Sequence, residues 1–346
     1  MSLRFSAALA IGVFACIASA QTPAPSQERT LYFEPGITTQ GANEIVNAIR
    51  TITETAQLTI DEAHKSLTLR GTAAQVEMAE WLFPLLNKPS GGTPKFTLPG
   101  APDQMMEVLY PANVTTNQGL AEMVNTIRTV AEIQRMFACQ GAHAIAVRGT
   151  AGQAALAEWI ANALDKPADW QPPESQRWVS YEYSAVLPPR DNGTAVRVFY
   201  MAHAEKPQDI AEIVNLTRTV AEVQRMFAGN ERKTVVLRAS PNQIALAEWL
   251  LNALDKPASW QPPADQNPAR YQYQADYPGS KGETDFVRIF YLAPDITQEG
   301  LSALTTQIRV SVGVQRLFAS TAHHAIALRG TASQVTAAEQ LVAARK

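Results

Sequence analysis

Residues 223–257 read VQRMFAGNERKTVVLRASPNQIALAEWLLNALDKP, and three secondary-structure elements can be recognised in this stretch. Two runs of strand-forming residues, at 223–227 and 234–238, flank a polar segment with a glycine, which predicts a β-hairpin. Ser240 and Pro241 then begin a helix, because serine favours the N-cap and proline fits the first helical position. The apolar residues that follow recur at helical spacing and define one buried face.

A strand and a helix precede this hairpin. The strand ends at Phe199-Tyr200, and the helix that follows has apolar residues at the spacing of one face: Ile210, Ile213, Val214 and Val220. The complete unit is therefore strand, helix, strand, strand, helix. Two helices must cover one face of a three-stranded sheet to bury their apolar sides, so the predicted class is α+β.

Four copies of this βαββα unit follow one another. They align without a gap from a tyrosine at the end of the first strand: Tyr32, Tyr110, Tyr200 and Tyr291. Each copy then has an arginine 18 residues later: Arg50, Arg128, Arg218 and Arg309. A glutamine and a glutamate recur in the second helix, and a tryptophan follows the glutamate in copies 1 to 3. Copy 4 has Gln340 there, and atypical terminal copies are common in repeat proteins.

The alignment also predicts the division of the chain. We expect a signal peptide at 1–20, a linker at 21–29, copy 1 at 30–89, a linker at 90–105, copy 2 at 106–167, a Trp/Pro linker at 168–178, copy 3 at 179–257, a Trp/Pro linker at 258–269 and copy 4 at 270–346. Alternating segments at 181–183 and 271–273 predict an added edge strand in copies 3 and 4. Units of about 60 residues are marginal alone, so contacts between copies or between chains are expected.

The N-terminus has the features of an export signal. Arg4 precedes an apolar stretch over 6–18, and Ala18-Ser19-Ala20 is a small-residue cleavage site. We expect cleavage after Ala20, a periplasmic or secreted protein, and no membrane span afterwards, since the apolar stretch is shorter than the roughly 20 residues of a spanning helix. An uncleaved anchor, or lipidation at Cys16, are the alternatives.

Composition argues against several kinds of site. The formal net charge of −3 is unlike that of proteins that bind nucleic acid without specificity. After cleavage Cys139 is the remaining cysteine, so no intrachain disulfide is expected, and it lies in no Cys-x-x-Cys motif. His323 and His324 are adjacent, and successive side chains on a strand point to opposite faces, so we expect no metal site. No cofactor is predicted.

The recurring charged and aromatic residues suggest contacts. The arginine of the first helix and the glutamate of the second predict four salt bridges: Arg50 with Glu80, Arg128 with Glu158, Arg218 with Glu248 and Arg309 with Glu339. A row of arginines that binds an acidic partner is the alternative. The linker tryptophans and the nearby tyrosines either dock onto the copies or form a partner surface: Trp170, Trp260, Tyr181, Tyr183, Tyr271 and Tyr273.

The segment 58–76, LTIDEAHKSLTLRGTAAQV, resembles the strand-turn-strand-helix of the N-terminal ring domains of secretins. Their second helix commonly ends in a Leu-Asp-x-Pro-like sequence, which is similar to 164–167 and 254–257 here. The resemblance implies a fold like that of KH domains. It also implies that such domains pack side by side between subunits in periplasmic rings and bind partners on their outer surfaces. Secretins end in a large membrane β-domain that we do not expect here, so pore formation does not follow. KH domains bind RNA through a Gly-x-x-Gly loop between helices, and these copies lack one at that point.

The sequence contains no catalytic motif of the common types, including Gly-x-Ser-x-Gly, a Walker loop and His-Glu-x-x-His. It therefore predicts a non-enzymatic exported module for protein interaction or self-assembly, as a scaffold or adaptor of an envelope secretion or pilus system. The alternative is a module that binds carbohydrate or peptide through the linker tryptophans and tyrosines.

Overall fold

The computed structural model describes residues 26–167, 169–173, 177–183, 194–257, 259–276 and 284–345. The predicted signal peptide at 1–20, its cleavage site and Cys16 lie outside these residues.

Each copy contributes one antiparallel sheet and two helices. Copy 1 contains β1 (Gln27–Tyr32), α1 (Thr39–Thr53), β2 (Gln57–Asp61), β3 (Ser66–Gly71) and α2 (Ala73–Asn87). Copy 2 contains β4 (Lys95–Leu98), β5 (Ala101–Leu109), α3 (Asn117–Ala131), β6 (Arg135–Cys139), β7 (Ala144–Thr150) and α4 (Ala151–Leu164). Copy 3 contains β8 (Trp178–Glu182), β9 (Ala195–Tyr200), α5 (Pro207–Ala221), β10 (Arg225–Gly229), β11 (Thr234–Ala239) and α6 (Pro241–Leu254). Copy 4 contains β12 (Ala269–Gln274), β13 (Thr284–Tyr291), α7 (Gln298–Val312), β14 (Arg316–Ser320), β15 (Ala325–Gly330) and α8 (Ala332–Ala343).

The predicted α+β class with repeated βαββα units is confirmed. The strand order is β1-β3-β2 in copy 1, and β4-β5-β7-β6, β8-β9-β11-β10 and β12-β13-β15-β14 in the others. In every sheet the second strand of the hairpin lies between the first strand and the other hairpin strand. Across the described ranges, no helix combines the length and apolar character that a bilayer crossing requires.

Strands extend into each of the predicted linkers, since β5 begins at Ala101, β8 at Trp178 and β12 at Ala269. Strand β4 lies within the predicted linker 90–105 and pairs with β5, so copy 2 has an added edge strand as well as copies 3 and 4. Strand β1 begins at Gln27, inside the predicted linker 21–29. The added strand of copy 2 was missed because it is four residues long and follows a run of Gly, Ser and Pro that is typical of loops.

The second helix of each copy begins with the same capping box. The N-cap residues Thr72, Thr150, Ser240 and Thr331 pair with the recurring glutamines Gln75, Gln153, Gln243 and Gln334. The glutamine also joins the two helices, since Gln153 Nε2 donates to the carbonyls of Ala131 and Glu132 at 3.0 and 3.1 Å. This double role explains why glutamine recurs at this position.

The copies form one stack in chain order, because the helices of copies 1 to 3 are buried between their own sheet and the sheet of the next copy. At the first junction Ile49 of α1 and Leu82 of α2 share a core with Leu67 of their own sheet and with Val108 and Ala146 of the next. The first helix of copies 1, 2 and 3 also contacts the hairpin of the following copy, through α1 with β6, α3 with β10 and α5 with β14. The units that are marginal alone therefore complete their cores with their neighbours.

Candidate functional site

The structure does not bring together the four predicted ion pairs, Arg50–Glu80, Arg128–Glu158, Arg218–Glu248 and Arg309–Glu339. The arginine lies at the end of the first helix, and in copies 2 to 4 it extends toward the hairpin of its own copy. In copy 3, Arg218 Nη2 donates to the carbonyl of Met226 at 2.9 Å. The prediction is wrong because the recurring arginine and glutamate lie beside different strands of the sheet.

The glutamates of the second helices lie over the first strands instead. Glu80 pairs with Arg29 of β1, and Glu339 accepts from Arg288 of β13 at 2.6 Å. In copy 2, Glu158 pairs with Lys95 of the added strand β4 at 2.6 Å. These contacts hold α2, α4 and α8 on their sheets. The recurring arginines themselves bind asparagine or backbone oxygens, so a row of arginines that binds an acidic partner stays a prediction.

A different set of charges joins the copies. At the left-handed C-cap of the first helix stands a glutamate, and two arginines of the next copy bind its carboxylate. We call each set a junction triad: Glu54 with Arg135 and Arg148, Glu132 with Arg225 and Arg238, and Glu222 with Arg316 and Arg329.

The junction triads keep their glutamates ionised. Hydrogen bonding from Arg135, at 2.7 Å, holds the pKa of Glu54 below its ordinary value. Burial opposes ionisation of Glu132, but the guanidinium groups of Arg225 and Arg238 outweigh it and lower the pKa of that carboxyl. The triads therefore fix the orientation of one copy on the next.

Three further recurring contacts strengthen the junctions. A carboxylate of the first helix accepts a backbone N–H from the next hairpin turn, in the pairs Glu44–Gly141, Glu122–Glu231 and Glu212–Ala322. The tyrosine hydroxyl at the end of the first strand donates to a carbonyl of the preceding second helix, in Tyr110–Leu85, Tyr200–Ala163 and Tyr291–Ala253. The recurring tryptophan packs on an aromatic ring of the next added strand, in Trp81–Phe96, Trp159–Tyr181 and Trp249–Tyr271.

The linker tryptophans also pack on the protein. Trp170 meets Tyr200 edge to face with ring centroids 4.7 Å apart, and Lys166 lies 5.7 Å from the Trp170 ring. Trp260, Tyr291 and Lys256 repeat this arrangement at the next junction. Tyr183 and Tyr273 are buried beneath the guanidinium groups of Arg238 and Arg329. The six predicted aromatic residues thus take part in contacts at the junctions.

Copy 4 differs from the other copies at the positions that form junctions. Ala303 replaces the glutamate that binds the next hairpin turn, and Gly313 replaces the glutamate of the junction triad. Gln307 and Ser311 are exposed on α7, whereas the corresponding residues of copies 1 to 3 are buried: Ala48, Ile52, Thr126, Val130, Leu216 and Val220. The outer face of the last copy is therefore mainly polar, with Val310 as an exposed apolar residue.

Copy 1 is polar on its opposite side, which is the outer face of its sheet. This face carries Glu28, Thr30, Thr59, Asp61, Ser66 and Thr68. The corresponding residues of copy 2 lie against copy 1 and are Met106, Val108, Phe137, Cys139, Ala144 and Ala146. Apart from the exposed Tyr32 of copy 1 and the exposed Val310 of copy 4, both ends of the stack thus have the polar surfaces of capping repeats. A comparison of the four copies, position by position, is the sequence signal that reveals these ends.

The described part of the chain offers little support for catalysis or metal binding. Within it, no group of three or more His, Cys, Asp or Glu side chains could hold a metal ion. Cys139 is buried, and burial raises the pKa of its thiol to about 12, so it is unreactive as a nucleophile. Two small cavities, of about 340 and 230 Å³, lie beside Trp170 and Trp260 and are lined by linker and hairpin-turn residues.

Comparisons with known proteins give a fold likeness of low similarity. No family model matches the chain, and no curated protein matches it. The N-terminal domain of the secretin XcpQ from Pseudomonas aeruginosa is 13% identical, with 67% of this chain and 100% of that chain covered and a TM-score of 0.23. Aeromonas hydrophila ExeD is 14% identical over 66% of this chain, which spans 41% of ExeD, with a TM-score of 0.16. These scores carry no functional argument.

Proposed function

We propose that this protein is an exported, non-enzymatic protein-interaction module that acts as an adaptor or scaffold of an envelope secretion or pilus system. The observation that carries the proposal is the pair of polar ends described above. Most junction residues are replaced by polar residues at both ends, although the sheet face of copy 1 retains Tyr32 and Arg70, and these replacements support a stack of four copies. Such a stack presents fixed surfaces to partners.

The export signal and the secretin-like pattern of the sequence support the envelope setting. The capped ends argue against self-assembly by addition of further chains to the stack, because a polar sheet face and a polar helix face would meet there. An adaptor that binds other proteins is therefore favoured over end-to-end assembly of the stacks. No nucleic acid, cofactor or metal is required.

Light scattering after size exclusion, on residues 21–346 over a wide concentration range, tests the finished stack. We expect the mass of one chain throughout. A discrete oligomer would show that chains associate by another surface and would contradict an adaptor that works as a single chain. Mass spectrometry of the exported protein should give an N-terminus at Gln21.

Photo-crosslinking in cells tests the interaction itself. A photoreactive amino acid at Thr59 samples the polar sheet face of copy 1, and one at Gln307 samples the polar helix face of copy 4; both residues are exposed. We expect a discrete protein adduct from at least one end. Glu77, exposed on the side of α2, is the matched control and should give none. The absence of adducts from both ends would contradict the proposal.

The structure disfavours the alternative of a carbohydrate or peptide site on the aromatic residues. A ring that stacks on a ligand needs a free face, but Trp170 and Trp260 pack against Tyr200 and Tyr291. Titration of tryptophan fluorescence with cell-wall fragments should therefore leave the spectrum unchanged. Saturable quenching would favour the alternative.

A further inference from the structure

The first strand of copy 1 has an edge that the other copies cover. In copies 2, 3 and 4 an added strand pairs with the first strand, as β4 with β5, β8 with β9 and β12 with β13. Strand β1 pairs with β3 on one side, and among the described residues no strand lies on its other side. Residues 27–30 are exposed. The fold thus provides a position for one more strand, and three copies show how it is filled.

The backbone groups that face this edge follow from the other copies. Val108 N–H donates to the Pro94 carbonyl at 3.2 Å, and Tyr200 N–H donates to the Arg177 carbonyl at 2.9 Å. Val108 corresponds to Thr30 in copy 1. Peptide groups alternate in direction along a strand, so those of Glu28 and Thr30 point to the open edge and can bind an added strand.

The charges beside the edge indicate what such a strand carries. In copy 4, Arg270 of the added strand lies opposite Arg288, and both guanidinium groups bind Glu339, at 3.5 and 2.6 Å. In copy 2, Lys95 of the added strand binds Glu158. The corresponding residues of copy 1 are Arg29 and Glu80, and the place opposite Arg29 is open. A lysine or arginine at that place would complete the arrangement.

The added strands are themselves edges, and two of them, β4 and β12, carry features that disfavour further pairing. Strand β4 is four residues long and lies between Pro94 and Pro99, and Pro268 directly precedes β12. Proline and short length are common means of preventing pairing at sheet edges. Strand β1 is six residues long and contains no proline, so its edge is more receptive than that of β4.

We propose that the open edge of β1 binds an extended segment of a partner protein as an additional antiparallel strand, with a basic residue of that segment facing Glu80. The proposal rests on the adaptor function proposed above and gives it a binding site. Main-chain hydrogen bonds supply affinity in this mode of recognition, and alternate side chains supply specificity.

Selection from a phage-displayed random octapeptide library on residues 21–346 tests the proposal. We expect enriched peptides that alternate in polarity and carry Lys or Arg at one inward position. Thr30→Pro removes an N–H that faces the open edge and leaves the ladder to β3 intact, so it should weaken binding of an enriched synthetic peptide by about tenfold or more. Thr97→Pro makes the same change on the outer edge of β4 and should leave binding unchanged.

Thermal unfolding shows whether Thr30→Pro still folds. If it does not, a second variant tests the site. Glu80→Gln should weaken the binding of peptides that carry Lys or Arg at the inward position. It should also remove the preference for these residues in the selection. A selection without enriched peptides, or peptides insensitive to both variants, would overturn the proposal. So would a dimer that Thr30→Pro converts to a monomer, because β1 would then pair with a second copy. If the β1 proposal is contradicted but Thr30→Pro still gives the photo-crosslinked adducts, the adaptor function is retained and only the β1 binding site is rejected.

Discussion

Glu107 of β5 stands at a position that is arginine in the other three copies, namely Arg29, Arg197 and Arg288. Its side chain is fully buried, and both carboxyl oxygens lack a hydrogen-bond partner among the described residues. Burial raises the pKa of Glu107 to about 8, with Lys95 opposing the change and Glu158 adding to it. This carboxyl group is therefore largely protonated at neutral pH in the folded protein.

Glu107 should make the stability of the protein fall as the pH rises. Between about pH 4.5 and about pH 8 the unfolded chain has released this proton while the folded chain retains it, so the free energy of unfolding decreases by at most about 1.4 kcal/mol per pH unit. Glu107→Gln should remove this contribution and increase stability most at alkaline pH. Urea unfolding at several pH values checks it, with exposed Glu299→Gln as control. Parallel pH profiles of wild type and Glu107→Gln would contradict the assignment.

Arg238 is the buried arginine of the second junction triad, and its loss should be costly. The side chain binds the carboxylate of Glu132 and covers the ring of Tyr183. We expect Arg238→Ala to lower the free energy of unfolding by about 2 kcal/mol, below the value for a fully buried pair because Glu132 is half exposed.

Arg70 provides the matched control for Arg238. It stands at the same position in copy 1, where it is exposed and pairs with Glu28 at 2.7 Å. Arg70→Ala should cost less than about 1 kcal/mol, as exposed ion pairs do. Equal losses in the two variants, measured by urea unfolding, would show that the triads do not stabilise the junctions.

The wrong Arg–Glu pairs show where the sequence stops being informative about single residues. Constant spacing established that Arg218 and Glu248 recur, but spacing cannot tell which strand each side chain lies beside. The actual partners of the triads belong to different copies, so no local pattern connects Glu132 with Arg225 or Arg238. The arginines recur visibly in the sequence, but their partners can be identified only when the stacking of the copies is known.

At the level of elements, the attachment of the second helix of copy 3 to the loop between β9 and α5 of the same copy depends on one aspartate. Asp255, at the end of α6, is buried and accepts the backbone N–H groups of Ala202, His203 and Ala204 at 2.7 to 3.0 Å. Asp255→Ala leaves these donors without their acceptor and should lower the free energy of unfolding by about 2 to 3 kcal/mol. Thermal unfolding checks this, with exposed Asp265→Ala as control. Similar melting temperatures in both variants would contradict the role of Asp255.

The helices and hairpins could be predicted from the sequence because their signals are local. The N-cap of α6 at Ser240 and its first-turn proline are confirmed, since capping depends on neighbouring residues. Strand β4 could not be predicted in the same way. Its four residues are ordered by pairing with β5 and by Phe96 packing on Trp81 of the preceding copy. Such tertiary contacts have no signal within the strand itself.

At the scale of the whole molecule, the polar ends have a thermodynamic consequence. Every internal junction buries apolar residues of one copy against the sheet of the next, and copy 4 ends this series with exposed Gln307 and Ser311. Burial of an aliphatic side chain contributes about 1.5 to 3 kcal/mol, so an uncovered internal face favours association. The last copy therefore acts as a cover for copy 3 and as a polar boundary to solvent.

Removal of copy 4 tests this view directly. A chain that ends at Pro257 exposes Leu216 and Val220 of α5, which are fully buried in the complete stack. We expect it to associate with a strong dependence on concentration in light scattering, whereas the full chain remains a single chain. Leu216→Gln with Val220→Ser, the residues of copy 4 at these positions, should restore a single chain if the truncated protein keeps its helical circular dichroism. A truncated chain that stays monomeric without these substitutions would mean that the polar ends do not limit the stack, and the argument for a finished adaptor would lose its basis.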